Sequence, residues 1–320
     1  LHTDPKNAKG FLTNCLKETM NAIRQILRYS QPLRPFLLGE QSQAEEPEIL
    51  SLSLEFEPAG KLLVEVRHDQ HGNPEEVHRF TYNDAGYVIN HEMHLPQESI
   101  LERFVTERNA NGLPLRVQKF YGDDAGECVE TTYAEHGHPV RIYRTDADGE
   151  FEEEEILTYN SESRLVKREL KNAAGEITIT TIEYNDQGLP KSETESDSNG
   201  KVISTTVFTY DMEDREVKVV HSNADGKVLS LFESQYDQTG RLIARTSKTF
   251  YIRISSFQYD DAGRLVEESL SDENGFVISR KQRAFDDEGQ LLEEVVYETD
   301  LTRAGRDTHI RHRFEQVFFS

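Results

Sequence analysis

The chain has 320 residues, 36% hydrophobic and 30% charged, with 59 Asp and Glu against 36 Lys and Arg and a formal net charge of −23. This acidic balance repels nucleic-acid backbones and favours solubility or a basic partner. No stretch reaches the roughly 18 apolar residues of a membrane-spanning helix, and two cysteines, Cys15 and Cys128, cannot form a disulfide framework.

Residues 1–48 differ in kind from the remainder of the chain. They hold six Lys/Arg and six Asp/Glu, so the whole net charge falls on residues 49–320. Phe11, Leu12, Cys15, Leu16, Met20, Ile23, Ile26 and Leu27 share one helical face, Asp4 before Pro5 suits a helix start, and Pro32 and Pro35 stop it. The spacing predicts one amphipathic helix, followed by a polar linker from Gln41 to Pro47. The helix is expected to cap the first edge strand, with docking to another protein as its alternative role. The first residue is Leu1 and not Met, which a processed or truncated form would explain.

From residue 49 the sequence repeats. Tyr184-Asn185-Asp186-Gln187-Gly188-Leu189, Tyr210-Asp211-Met212-Glu213-Asp214-Arg215 and Tyr236-Asp237-Gln238-Thr239-Gly240-Arg241-Leu242 are set 26 residues apart. Phe56, Tyr82, Tyr133, Tyr159, Tyr259 and Phe285 continue at or near that step, with Arg108 in an empty slot and a shortened step of 23 before Tyr259. A fixed period of this length marks stacked supersecondary units that share a buried face.

A second turn signal falls midway in each unit, as in Asn172-Ala173-Ala174-Gly175, Asp197-Ser198-Asn199-Gly200, Asn223-Ala224-Asp225-Gly226 and Asp272-Glu273-Asn274-Gly275. Asp or Asn bonds its own backbone two residues on, and the following Gly takes the positive φ of a bulged hairpin. Between turns run segments such as Val202-Ile203-Ser204-Thr205-Thr206-Val207-Phe208, whose β-branched content reads as strand. The expected fold is all-β: an extended, coiled antiparallel meander of about 20 strands from Leu50 to Arg313, two strands per unit. Tyr82, Tyr133, Tyr159, Tyr184, Tyr210, Tyr236 and Tyr259, with Gly188, Gly240 and Gly263, are read as structural. Each Tyr is expected to pack over the residue that follows the neighbouring turn, such as Leu165, Leu242, Leu265 or Leu291, making one rim a spine.

Tyr236 to Leu242 and Tyr259-Asp260-Asp261-Ala262-Gly263-Arg264-Leu265 resemble the YD-repeat motif of the bacterial Rhs and teneurin type: Tyr-Asp, two variable positions, Gly, Arg, then Leu or Tyr. The resemblance spans about residues 56–291. It implies a spiralling β-shell able to enclose a toxin polypeptide, and a secreted or cell-surface setting. The chain is several times shorter than such shells, and the Asp-Pro-x-Gly-Leu motif that ends an Rhs core is missing.

Chemistry-bearing clusters are few. His68, His71, His78, His91 and His94 form the one concentration of histidines, where a hydrolase or a histidine metal site would be sought, yet His91 and His94 point to opposite sides of a strand. Asp146-Ala147-Asp148-Gly149 with Glu155 matches part of a calcium loop, but Arg144 stands at the first ligand position. The paired carboxylates Asp123-Asp124, Asp260-Asp261 and Asp286-Asp287 sit in repeat turns, not in the unlike environments that acid/base work needs. No catalytic, metal or cofactor site is therefore assigned. The array breaks at Ala244–Ile254, where length, turn chemistry and charge all depart together, so Arg245, Lys248, Phe250, Tyr251 and Arg253 become the candidate partner surface. The functional expectation is a non-enzymatic scaffold that presents an acidic β-repeat surface to a protein or polypeptide partner; the alternative is a partial Rhs-like shell or chaperone.

Overall fold

The computed structural model describes residues 23–32, 47–299 and 308–318, and every regular element among them is a strand. The first eleven are β1 (Ile23–Pro32), β2 (Ile49–Phe56), β3 (Leu62–His68), β4 (Pro74–Tyr82), β5 (Val88–Leu95), β6 (Ile100–Arg108), β7 (Pro114–Tyr121), β8 (Asp124–Tyr133), β9 (Pro139–Thr145), β10 (Phe151–Tyr159) and β11 (Leu165–Asn172). The others are β12 (Ile177–Tyr184), β13 (Pro190–Asp197), β14 (Val202–Tyr210), β15 (Glu216–Asn223), β16 (Val228–Tyr236), β17 (Leu242–Lys248), β18 (Ile252–Tyr259), β19 (Leu265–Asp272), β20 (Val277–Phe285), β21 (Leu291–Glu298) and β22 (Thr308–Phe318). From β2 onward each pairs antiparallel with the next, and β1 pairs antiparallel with both β2 and β22. The sheet is a closed 22-stranded meander.

Parity explains the extra strand. The run from β2 to β22 contains an odd number of strands, so its first and last point the same way; one further strand is needed before both edges can be satisfied by antiparallel ladders. The expected helix is corrected here. Ile26 and Leu27 lie in β1, where Ile26 packs with Phe56, Leu54 and Leu62. The demand of two open edges and this apolar contact outweigh the helical spacing of the segment. The rest of that helix, residues 1–22, and most of the linker lie outside the described residues.

Turn chemistry follows the motif. Asp237 accepts the N–H groups of Thr239 and Arg241 on Oδ1, its carbonyl accepts the N–H of Gly240, and Gly240 takes φ +84°. Where Gly is missing, Asp214 and Ser163 adopt φ 61° and 62° instead, a conformation that costs a non-glycine residue about 1 kcal/mol. The motif Arg closes the unit: Arg241 donates from Nε to Asp237 Oδ2 at 2.7 Å while its guanidinium stacks over Tyr259, and Arg264 does the same with Asp260 and Phe285.

These carboxylates titrate low. Backbone N–H donation, led by Asn73, holds Asp69 at about 2, and the donors headed by Arg241, Arg264 and Phe276 lower Asp237, Asp260 and Asp272. A carboxylate depressed on folding contributes stability that is complete above its unfolded value near 3.9 and lost as pH falls through the folded value. Replacing Asp69 and Asp237 together by Asn, which keeps the Oδ1 acceptor, should flatten the fall in melting temperature between about pH 4 and pH 2. Unfolding followed by circular dichroism at each pH reads this out.

The tyrosines form the spine by hydrogen bonding. Tyr82, Tyr133, Tyr159, Tyr184, Tyr210, Tyr236 and Tyr259 donate their hydroxyls to the carbonyls of Leu62, Pro114, Pro139, Leu165, Pro190, Glu216 and Leu242, at 2.7 to 3.0 Å. Arg108, in the slot without an aromatic residue, donates from Nε to the carbonyl of Val88 at 2.9 Å, so the unit is filled by another donor. Tyr210→Phe should cost about 1 kcal/mol, measured by urea unfolding.

Candidate functional site

The register sets the width of the ring. Thr158, one residue before Tyr159, pairs with Lys167; Lys167 pairs with Thr181, three before Tyr184; Thr181 pairs with Thr194, and Thr194 with Thr205, five before Tyr210. A slip of about two residues per two strands tilts the strands by about 35°. The 22 strands, about 4.8 Å apart, then form a ring roughly 40 Å across between opposing backbones and, with side chains allowed for, a lumen roughly 30 Å wide. Eight strands give a barrel that side chains can fill; this one is far beyond that limit. Hence Ile26, Phe56, Val77 and Cys128 are the only fully buried apolar residues among those described.

Accessibility alternates at the ends of the tyrosine-bearing strands, with the tyrosine side the more covered in β10, β12 and β14. The concave side of a closed ring is the crowded one, so the tyrosines face the lumen. Following the register from Tyr184, the same side carries Thr180 and Ile182 on β12, Glu193 and Glu195 on β13, Ser204 and Thr206 on β14 and His221 on β15.

The luminal wall is polar and largely self-satisfied. Arg144 bridges Glu153 and Glu155, Arg283 holds Glu294 at 2.9 Å and Glu268 at 3.2 Å, and Lys119 meets Glu102 at 3.1 Å. Buried Ser204 donates to Glu195 at 3.0 Å, and Thr206 meets His221 at 3.1 Å. Desolvation keeps such pairs near break-even, so they keep the wall uniform more than they stabilise it. Among the described residues, Asp84, Asp186, Asp261 and Asp287 in the turns have no ion-pair partner, and neither do Glu193 and Glu195 on the wall.

One luminal sector is aromatic. Phe80, His91 and Phe104 stack across β4, β5 and β6, with centroids 4.6 and 5.6 Å apart, and Lys119 lies over Phe104. His78 Nδ1 is 2.8 Å from His91 Nε2, and its Nε2 donates to Glu76. Of the clustered histidines, these two are brought together; sequence spacing concealed the pair because it depends on the β4–β5 register. Among the described residues no group of three or more His, Cys, Asp or Glu is arranged to hold a metal ion. At the calcium-like turn, Asp146 Oδ1 is occupied by the N–H groups of Asp148 and Glu150, and Glu155 is held by Arg144.

The irregular hairpin divides the candidate partner residues. Phe250 is 99% exposed and Tyr251 70%, with Arg253 stacked on Tyr251. Lys248 pairs with Glu233 at 3.0 Å, and Arg245 lies over Phe232 and 3.6 Å from Glu216. Phe250, Tyr251 and Arg253 thus share the hairpin end, whereas Arg245 and Lys248 belong to the ring wall.

No family model and no curated protein matches the chain. Among solved structures, TcdB2-TccC3-Cdc42 is similar over 90% of this chain and 19% of that one, with 13% identity and a TM-score of 0.41. A porin-like protein from Bacteroides uniformis is similar over 92% of this chain and 98% of its own, with 11% identity and a TM-score of 0.32. The N-terminal domain of the effector protein SpvB from Salmonella typhimurium gives 85%, 98%, 13% and 0.17 in the same order. The chain spans about a fifth of the TcdB2-TccC3 chain, and likenesses at this level leave its family open. Among the described residues no helix is long and apolar enough to cross a membrane.

Proposed function

We propose that the chain is a non-enzymatic ring that holds a polypeptide in its lumen. The observation that carries this reading is closure by 22 strands, which leaves a space roughly 30 Å wide that its own side chains cannot fill. A helix is about 10–12 Å across, so the lumen is wide enough for two of them or for a folded-back strand. A wall of ion-paired and hydroxyl side chains with one aromatic sector suits a polypeptide of mixed character better than a small molecule, which needs a tight, mostly apolar pocket. The YD-like motifs support the same role, since the resemblance they carry implies a shell around a polypeptide. Material isolated from the native source should contain a second polypeptide that resists protease until the ring is unfolded; a ring that purifies alone, or a companion cleaved as fast as free peptide, would count against it.

A second reading rests on Phe250 and Tyr251, large aromatic residues left exposed at a hairpin end. Aromatic and Arg side chains are enriched at interface hot spots. Replacing Tyr251 and Arg253 by Ala should weaken an external partner without lowering the melting temperature. A fall in stability with partner affinity retained would make the hairpin structural.

A further inference from the structure

β1 is the one strand that does not belong to the repeat, and it forms both ladders that close the ring. Its luminal contacts converge on one network. The Ser30 hydroxyl donates to Ser51 Oγ, Ser51 donates to the carbonyl of Arg28, and Arg28 Nε donates to Ser51 Oγ at 3.0 Å. With its single proton given to Ser51, Ser30 must accept from His312 Nδ1, 2.7 Å away on β22. One imidazole therefore ties β22 to β1 and, through two serines, to β2.

We infer that this histidine-centred seam is an acid-labile closure: protonation of His312 loosens β1 from β22 and opens the ring while the repeat array stays folded. The seam is built from side chains of β1, β2 and β22 alone, whatever the lumen holds.

The surroundings set the direction. Adding a proton to His312, on Nε2 because Nδ1 already carries one, places a third cation in a half-buried site already facing Arg28 on β1 and Lys281 on β20. Burial first, then Arg28 and Lys281, push its pKa from 6.5 down to about 4. The nearby carboxylates do not offset this. Glu294 is opposite His312 on β21 but is held by Arg283, Glu268 on β20's other side takes Arg283 and Lys281, and Glu65 on β3 is engaged by Arg67. A histidine lowered on folding contributes no penalty above its unfolded value, and its effect grows as pH falls from 6.5 toward 4. With those two values, the opening equilibrium should rise about 30-fold between pH 8 and pH 5. The turn carboxylates act lower, below about pH 4, so the windows separate.

Hydrogen exchange resolved by peptide, corrected for the intrinsic pH dependence, tests this on the full chain. Peptides of β1 and β22 should lose about 30-fold protection between pH 8 and pH 5 while those of β12 to β16 do not. His312→Gln, neutral throughout and able to bond Ser30, should abolish the difference. Lys281→Gln, outside the seam network, should reduce it, and carries the test should His312→Gln fail to fold. Equal loss in all strands, or an undiminished seam effect in either variant, would overturn the inference.

Discussion

Removal of residues 1–32 is expected to convert the closed ring into an open sheet that self-associates at micromolar concentration. Without β1 the remaining strands are odd in number, β2 and β22 run in the same direction, and each presents an unpaired edge along its length. An exposed, long edge is a template for pairing with another copy. Truncation at residue 22, which keeps β1, provides the baseline. Ile26→Ala is the milder probe: Ile26 is 7% exposed among Phe56, Leu54 and Leu62, and emptying that contact should cost about 2–4 kcal/mol. Light scattering for the truncations and urea unfolding for the point variant measure the two effects. A truncated chain that stays monomeric and compact would mean that β1 is not the closure.

The second large effect is expected at Gly112. Its φ is +80°, and a Cβ there would lie 2.2 Å from Cζ of Tyr87, whose ring packs on the turn beneath Arg108. Arg108 also donates to the carbonyl of Gly112 at 2.8 Å, so the turn, the ring and the substitute donor of the spine are one unit. Gly112→Val combines a left-handed conformation that a β-branched residue avoids with the displacement of a packed ring, at a total of about 3 kcal/mol. Gly149→Val is the comparison: φ is the same, +80°, but nothing lies within 4 Å of the added Cβ. The melting-temperature difference between the two variants isolates the steric part, and equal losses would show that backbone strain alone acts.

Much of the ring was legible because its repeat is written in side chains with local work. Asp237 and Gly240 announce a turn by chemistry within five residues, and Tyr236 returns every 26. Even the apparent gap at Arg108 follows the same logic once hydrogen-bond donation rather than aromaticity is the criterion. What escaped the sequence is non-local. Ile23, Ile26 and Leu27 have helical spacing, and pairings outside the segment, Leu27 with Ser53 on one side and with Glu315, nearly 290 residues away, on the other, make it a strand. Closure itself depends on that pairing and on the register slip, neither of which a single unit encodes. The His78–His91 contact and the His312 seam likewise arise from cross-strand register. The irregular hairpin was visible as a break in pattern, but the ion pairs that draw Arg245 and Lys248 into the wall depend on the positions of Glu216 and Glu233.

The central claim, a ring that holds a polypeptide inside, is tested most directly by two adjacent residues of β12. Thr180 and Thr181 are neighbours in sequence but face opposite sides of the sheet, Thr180 sharing the side of Tyr184. A photo-reactive amino acid placed at one or the other, in protein produced in its native source, samples lumen and exterior with nothing else changed. The account predicts a covalent adduct to one discrete companion polypeptide from position 180 and none from position 181; adducts from 181 alone, or from neither, would contradict it.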